Sequence, residues 1–165
     1  MSSSAASDAE RPAPKYSLFE RERRWLVDPT LLPSFDGPGR RIEDRYVDGT
    51  RLRLRSIDGA WKLGKKYDAA GLSSRPIVNV YLSEAEARVL AALPAAVLVK
   101  RRFAVDGFAV DRFEGALDGL WLAEVERPSA DALAAVRAPG WCVAEVTDDP
   151  CHSGGVLARE GRPYR

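Results

Sequence analysis

Polar and apolar residues alternate along most of the chain with the two-residue period of a half-buried β-strand. The stretch "FERERRWLV" sets the pattern: Glu20, Glu22 and Arg24 fall on one face, Arg21, Arg23 and Trp25 on the other. Beyond this segment, residues 18–27, further extended segments are expected at 41–46, 50–57, 60–67, 76–82, 97–105, 108–113, 120–126 and 142–147. Asp58-Gly59 and Asp106-Gly107 lie between pairs of these segments and are the residue types that two-residue hairpin turns demand. Asp48-Gly49 marks another turn. Helical patterns are few. Ser83-Glu84-Ala85-Glu86 forms a capping box before an apolar run and predicts a helix over 83–93, stopped by Pro94. Pro128-Ser129 opens a second helix over 130–137, and Asp28-Pro29 begins a short helical turn that reaches about Leu32. Eight or nine strands joined by hairpins predict antiparallel sheet, and an open sheet would expose bare edges. A mainly β, α+β fold is therefore expected, closed into a barrel with a few helices outside it.

Composition narrows the class. A chain of 165 residues with 45% apolar and 30% charged residues suits one globular domain that needs no disulfide or metal staple. The domain is expected over 16–158, between a Ser-, Ala- and Pro-rich tail at 1–15 and a short tail at 159–165. The 25 basic and 24 acidic residues nearly cancel, so overall charge offers no attraction to nucleic acid or to a membrane surface. No apolar run approaches the ~18 residues of a membrane span, and the first residues lack the apolar core of a secretory signal. Cys142 and Cys151 have no metal-ligand spacing and are expected as free thiols in a reducing cytoplasm.

The placement of charge says more than its sum. "TRLRLRS" puts Arg51, Arg53 and Arg55 on one face and Leu52 and Leu54 on the other. "VLVKRRF" sets Lys100 and Arg102 against Val97 and Val99, and "LWLAEVE" sets Glu124 and Glu126 against Trp121, Ala123 and Val125. "KLGKKY" offers Lys62 and Lys66. If helices cover the apolar faces from outside, the charged faces meet solvent or line a shared interior. Like charges two apart on a strand lie about 7 Å from each other and repel. Facing carboxylates or a bound polyanion would offset that repulsion. Phosphoryl transfer uses both kinds of group: Arg and Lys neutralise phosphate oxygens, while Glu and Asp hold Mg2+ or Mn2+.

With these motifs the chain resembles the CYTH superfamily, the triphosphate tunnel metalloenzymes. "ERERR" matches the E-x-E-x-K of that family's first strand, with Arg24 at the Lys position. "RLR" at 53–55, Lys66, "KRR" at 100–102, Asp111 in "VDRFEG", Glu124 and Glu126 in "GLWLAEVE", and the closing "W…EVT" at 141–147 follow in the family's order. The resemblance spans about residues 18–158 and implies an eight-stranded antiparallel barrel around a charged tunnel that binds a triphosphate. It implies that Arg24, Arg53, Arg55, Lys66, Lys100 and Arg102 grip phosphates. It implies that Glu20, Glu22, Glu124 and Glu126, with Asp111, hold Mg2+ or Mn2+, and that Glu22, Arg24, Lys66 and Lys100 serve catalysis. Arg51 is expected at the tunnel rim. Spacing leaves Lys65 and Lys66 as alternatives for the inward lysine.

Two departures from the family pattern stand out. Arg24 cannot shed its proton as a desolvated lysine can, so it binds phosphate but does not serve as a base. "CHSGG" at 151–155 replaces the aromatic and Asn common in the family's closing segment. His152 is expected in a surface loop, Gly154-Gly155 as a turn, and the Trp residues at 25, 61, 121 and 141 mostly packed beneath helices. The activity implied first is metal-dependent hydrolysis of a small-molecule triphosphate, above all inorganic tripolyphosphate. The alternatives are cyclisation of ATP to cyclic AMP and a non-catalytic polyphosphate- or nucleotide-binding module. An oligomer no larger than a homodimer is the accompanying expectation.

Overall fold

The computed structural model describes residues 13–67 and 73–163. Most of the expected tail at 1–15 lies outside the described residues. Nine strands form one antiparallel sheet: β1 (Leu18–Val27), β2 (Arg40–Val47), β3 (Leu52–Ile57), β4 (Ala60–Lys66), β5 (Ser74–Leu82), β6 (Ala95–Val105), β7 (Phe108–Phe113), β8 (Trp121–Glu126) and β9 (Cys142–Glu145). Their order is β5-β4-β3-β2-β6-β7-β8-β1-β9, and a β5–β1 pairing closes the first eight into a barrel. β1 makes the closure possible by changing partner along its length. Leu18–Arg21 pairs with β5, while Trp25–Val27 pairs on that same side with the short β9. The expected strands lie within a few residues of those found.

Local chemistry sets the hairpins. Asp58 and Gly59 have φ 49° and 89°, and Asp106 and Gly107 have φ 50° and 80°. Both central residues are left-handed, as the turns that match strand twist require. Helix α1 (Glu84–Ala91) has the full capping box: Ser83 and Glu86 each satisfy the other's backbone N–H. Helix α2 (Ala130–Ala134) is shorter than expected and is capped by Ser129.

The barrel has two apolar clusters, one on each side of its wall. Outside, Trp25, Val27, Phe103, Val105, Phe108, Val110, Ala123 and Val125 pack with Leu133 of α2 and with Trp141. Trp25 and Trp141 are thus buried under the covering segments, while Trp61 and Trp121 are half-buried. Inside, Leu98, Phe113 and Leu122 join Leu117, Leu120, Val146 and Leu157 to fill one end of the barrel. Leu157 belongs to helix α3 (Gly154–Glu160), which occupies the stretch expected to hold a glycine turn and the start of the C-terminal tail. The Gly pair serves packing rather than a turn, because a Cβ on Gly154 would run into the Tyr46 hydroxyl. Among the described residues, no helix is long and apolar enough to cross a membrane.

The stopper predicts a measurable dependence. Leu157 is 1% exposed, so Leu157→Ala is expected to cost about 2–5 kcal/mol in denaturant unfolding. Val89→Ala, at a position 72% exposed, should change stability by no more than about 0.5 kcal/mol.

Candidate functional site

Strand alternation puts one row of side chains from each barrel strand inside. Antiparallel register sets Glu22 opposite Glu126, Arg24 opposite Glu124, Asp44 opposite Arg55, and Arg102 opposite Asp111. The interior holds a cavity of about 450 Å³ whose lining includes Glu20, Glu22, Arg24, Arg53, Arg55 and Lys66. Lys100, Arg102, Glu124 and Glu126 also line it, so all of the expected set but Asp111 does, and Arg51 lines the cavity from the segment leading into β3. The inward lysine is Lys66. Lys65 lies on the other face, its ammonium 4.8 Å from the centre of the Tyr67 ring.

Most of the inward cations are matched with carboxylates. Arg24 donates to Glu124 and Glu22, each at 3.0 Å, and to the His152 carbonyl at 2.9 Å. Lys66 pairs with Glu20 and lies 3.4 Å from Glu22. Arg102 bonds Asp111 through both Nε and Nη2 at 2.7 Å and reaches Glu124 at 2.7 Å. Lys100 meets Asp111 at 2.5 Å. Arg55 grips Asp44 with two bonds of 2.5 and 2.6 Å, and Arg53 lies 3.8 Å from the same carboxylate. Asp111 was expected to ligate metal. It is 0% exposed and does not itself line the cavity, but it anchors Lys100 and Arg102, two cations that do.

The electrostatics follow from this crowding. Burial opposes ionisation of Glu124, but Lys100, Arg24 and Arg102 outweigh it and hold the carboxyl well below its ordinary range. Burial likewise works against Lys66, yet Glu22 and Glu20 raise its pKa. Lys100 goes the other way: burial, with Arg102 and Arg55 adding repulsion, lowers its pKa despite Asp111. Burial and the nearby Glu20 and Glu22 push the Glu126 carboxyl up. Arg24 is nearly sealed from solvent, but Glu124 and Glu22 keep its guanidinium firmly charged.

Several residues here escaped sequence reasoning. Asp44 was hidden among the charges of "RIEDRY", although it alternates with the buried Ile42 and with Tyr46. Arg75 lines the cavity just before the segment expected to be a strand. His152 was expected in a surface loop but is 3% exposed, with Nδ1 2.9 Å from Asp149 Oδ2. The signal was present: Asp149-Pro150 repeats Asp28-Pro29, and each Asp accepts a backbone N–H two residues on, at 3.0 and 2.9 Å. Both sequences start a 3-10 turn. Thr147 completes this segment by accepting the Arg24 N–H at 3.0 Å.

Among the described residues, no three acidic, His or Cys side chains stand in metal-holding geometry. The donor chemistry nevertheless suits a hard divalent cation, because Glu20, Glu22 and Glu126 offer only carboxylate oxygens from two neighbouring strands.

Solved structures share the architecture. Two crystal structures of NE1496, one described as a hypothetical protein and the other as an inorganic triphosphatase, are 25% and 23% identical in sequence to this chain. Each covers 84% of it, with 97% and 93% of their own chains matched and TM-scores of 0.57 and 0.56. A candidate adenylate cyclase of Bacillus halodurans is 18% identical, covers 70% of this chain and 83% of its own, and has a TM-score of 0.54. The chain has the CYTH-type triphosphate-tunnel fold. In the tunnel of this chain, the stopper of α3 and its apolar partners closes one end and the Glu20–Lys66 end is the more exposed. No protein-family model matches the sequence, and no curated protein does so significantly.

The Asp44–Arg55 pair supports a prediction of stability and of its pH dependence. Asp44→Ala leaves Arg55 buried without its counter-ion and should cost about 3–5 kcal/mol. Burial works against the Asp44 carboxylate, but Arg55 and Arg53 lower its pKa from the ordinary 3.8 to about 2. The folded-state pKa is depressed, so this stabilisation is complete above about pH 4 and is lost as pH falls toward 2. Asp44→Asn should therefore flatten the stability profile over pH 4 to 2 in urea unfolding. An unchanged slope would contradict the pairing.

Proposed function

We propose that this chain is a metal-dependent triphosphatase whose preferred substrate is inorganic tripolyphosphate. One observation carries the proposal: a 450 Å³ cavity lined by six expected cations, Arg24, Arg53, Arg55, Lys66, Lys100 and Arg102, together with carboxylates that can release them. Guanidinium groups bind phosphate oxygens through paired donors, and each charge-assisted bond contributes about 1.5–3 kcal/mol. Among the described lining residues, Tyr46 is the one aromatic. Its ring packs against Gly154 and Gly155 and lies under Arg159, so it offers no open face to a nucleobase. That favours a substrate made of phosphate alone over ATP.

Glu20, Glu22 and Glu126 would hold Mg2+ or Mn2+. When bound, the ion would supply Lewis-acid stabilisation of phosphate oxygens and an acidified water. The chain's own residues divide the remaining work. Arg53, Arg55, Lys100 and Arg102 hold the phosphates in the inner part of the cavity, with Asp44 and Asp111 fixing them from behind. Arg24 and Lys66 exchange their carboxylates for phosphate oxygens and so release Glu20 and Glu22 toward the ion. Arg24 orients and neutralises, and takes no proton. The free thiols of Cys142 and Cys151 suit a cytoplasmic setting.

Phosphate release should be fastest from tripolyphosphate, slower from ATP and pyrophosphate, and dependent on Mg2+ or Mn2+. Glu22→Gln should lower turnover tenfold or more while changing triphosphate affinity little. Full activity of that variant at saturating metal would overturn the metal assignment. Binding of tripolyphosphate without release from any of the three substrates, and without cyclic AMP from ATP, would show a binding module instead.

A further inference from the structure

Arg75 differs from Arg24, Arg53, Arg55, Lys66, Lys100 and Arg102, the paired cations of the tunnel. It stands near the start of β5, opposite Glu20 of β1, and lines the cavity. Its Nε is buried and has no hydrogen-bond partner. Among the described residues, no carboxylate lies within ion-pair distance of its guanidinium. Arg24, Arg55, Lys66, Lys100 and Arg102 all have one. Glu20, its neighbour across the strand pair, is taken by Lys66.

Such an arrangement is costly. More than nine in ten buried polar groups in folded proteins find a partner, and a buried donor left without one destabilises the fold. Among the described residues, Arg45 Nε is the other buried side-chain donor without a partner, but Arg45 does not line the cavity and its Nη2 reaches the Ala91 carbonyl at 3.0 Å. Among the described residues, the Arg75 side chain has no such protein acceptor, and its position beside the cavity leaves its donors to whatever binds there. The guanidinium edge that carries Nε and Nη matches two oxygens of one phosphate. A polyanion entering the tunnel must displace protein carboxylates from Arg24 and Lys66, but nothing from Arg75.

We infer that Arg75 is a phosphate-binding residue of the tunnel that meets the substrate without displacing any protein carboxylate. This assignment rests on the triphosphate reading of the cavity. Its test is calorimetric titration of the purified full chain with tripolyphosphate, free of metal, for wild type, Arg75→Ala and Arg75→Lys, with melting temperatures of the unliganded proteins measured alongside. Arg75→Ala should weaken binding tenfold or more, and Arg75→Lys should recover part of the loss by keeping the charge without the fork. The unliganded Arg75→Ala protein should melt no lower than wild type, because it loses a donor that had no partner. Wild-type affinity in Arg75→Ala overturns the assignment, as does a drop in its unliganded melting temperature that accounts for the lost binding. If the folded wild type does not bind tripolyphosphate at all, the reading of the cavity fails and this assignment falls with it.

Discussion

A charged row inside a closed barrel stands only if most of its charges meet their opposites. Repulsion between neighbours on one strand cannot be relieved by turning outward, because the barrel wall is continuous. Antiparallel register solves the problem by setting acids beside bases across the wall. Arg24 lies opposite Glu124, Arg55 opposite Asp44, and Arg102 opposite Asp111. Asp44 and Asp111, at 1% and 0% exposure, sit deepest and hold the cations from behind. The carboxylates toward the exposed end pair with cations that have other possible partners. Rigidity on one side and exchangeable pairs on the other arise from one strand pattern.

That pattern also explains charge on both faces of "FERERRWLV". The inward set enters the tunnel network. On the outside, Arg23 bonds Glu145 of β9 at 2.8 and 2.7 Å and the Leu133 and Val136 carbonyls at 3.4 and 3.0 Å. Its guanidinium also lies 4.7 Å from the Trp25 ring centre. Arg23 thereby ties β1 to the segments that cover the outer core. A residue chosen for alternation alone would not make those contacts.

The alternating faces and the Asp-Gly turns made the strands legible in the sequence, because both are local properties of the backbone. The capping box did the same for α1. What stayed hidden depends on tertiary placement. "GGVLARE" carries a weak helical signal after two glycines, and it becomes α3 because Leu157 finds an apolar hole at one end of the barrel. The charge pairs pointed to a charged interior, and the apolar residues Leu98, Phe113 and Leu122 that share that face near the stopper carry no such local signal. Asp44 and Arg75 were obscured because neither belongs to a repeated charge pair. His152 was misplaced although Asp149-Pro150 marked its turn, because its burial depends on tertiary packing of a segment whose carbonyl accepts from Arg24, 128 residues away.

In the proposed mechanism, Lys66 and Arg24 would hold Glu20 and Glu22 until a polyphosphate drew them away and left the acids free to hold a divalent ion. A crystal structure with tripolyphosphate and Mn2+ bound tests this directly. The account predicts Lys66 and Arg24 turned onto phosphate oxygens, with anomalous density for manganese among Glu20, Glu22 and Glu126. A bound triphosphate with the Lys66–Glu20 and Arg24–Glu22 pairs intact and no metal at those carboxylates would contradict it.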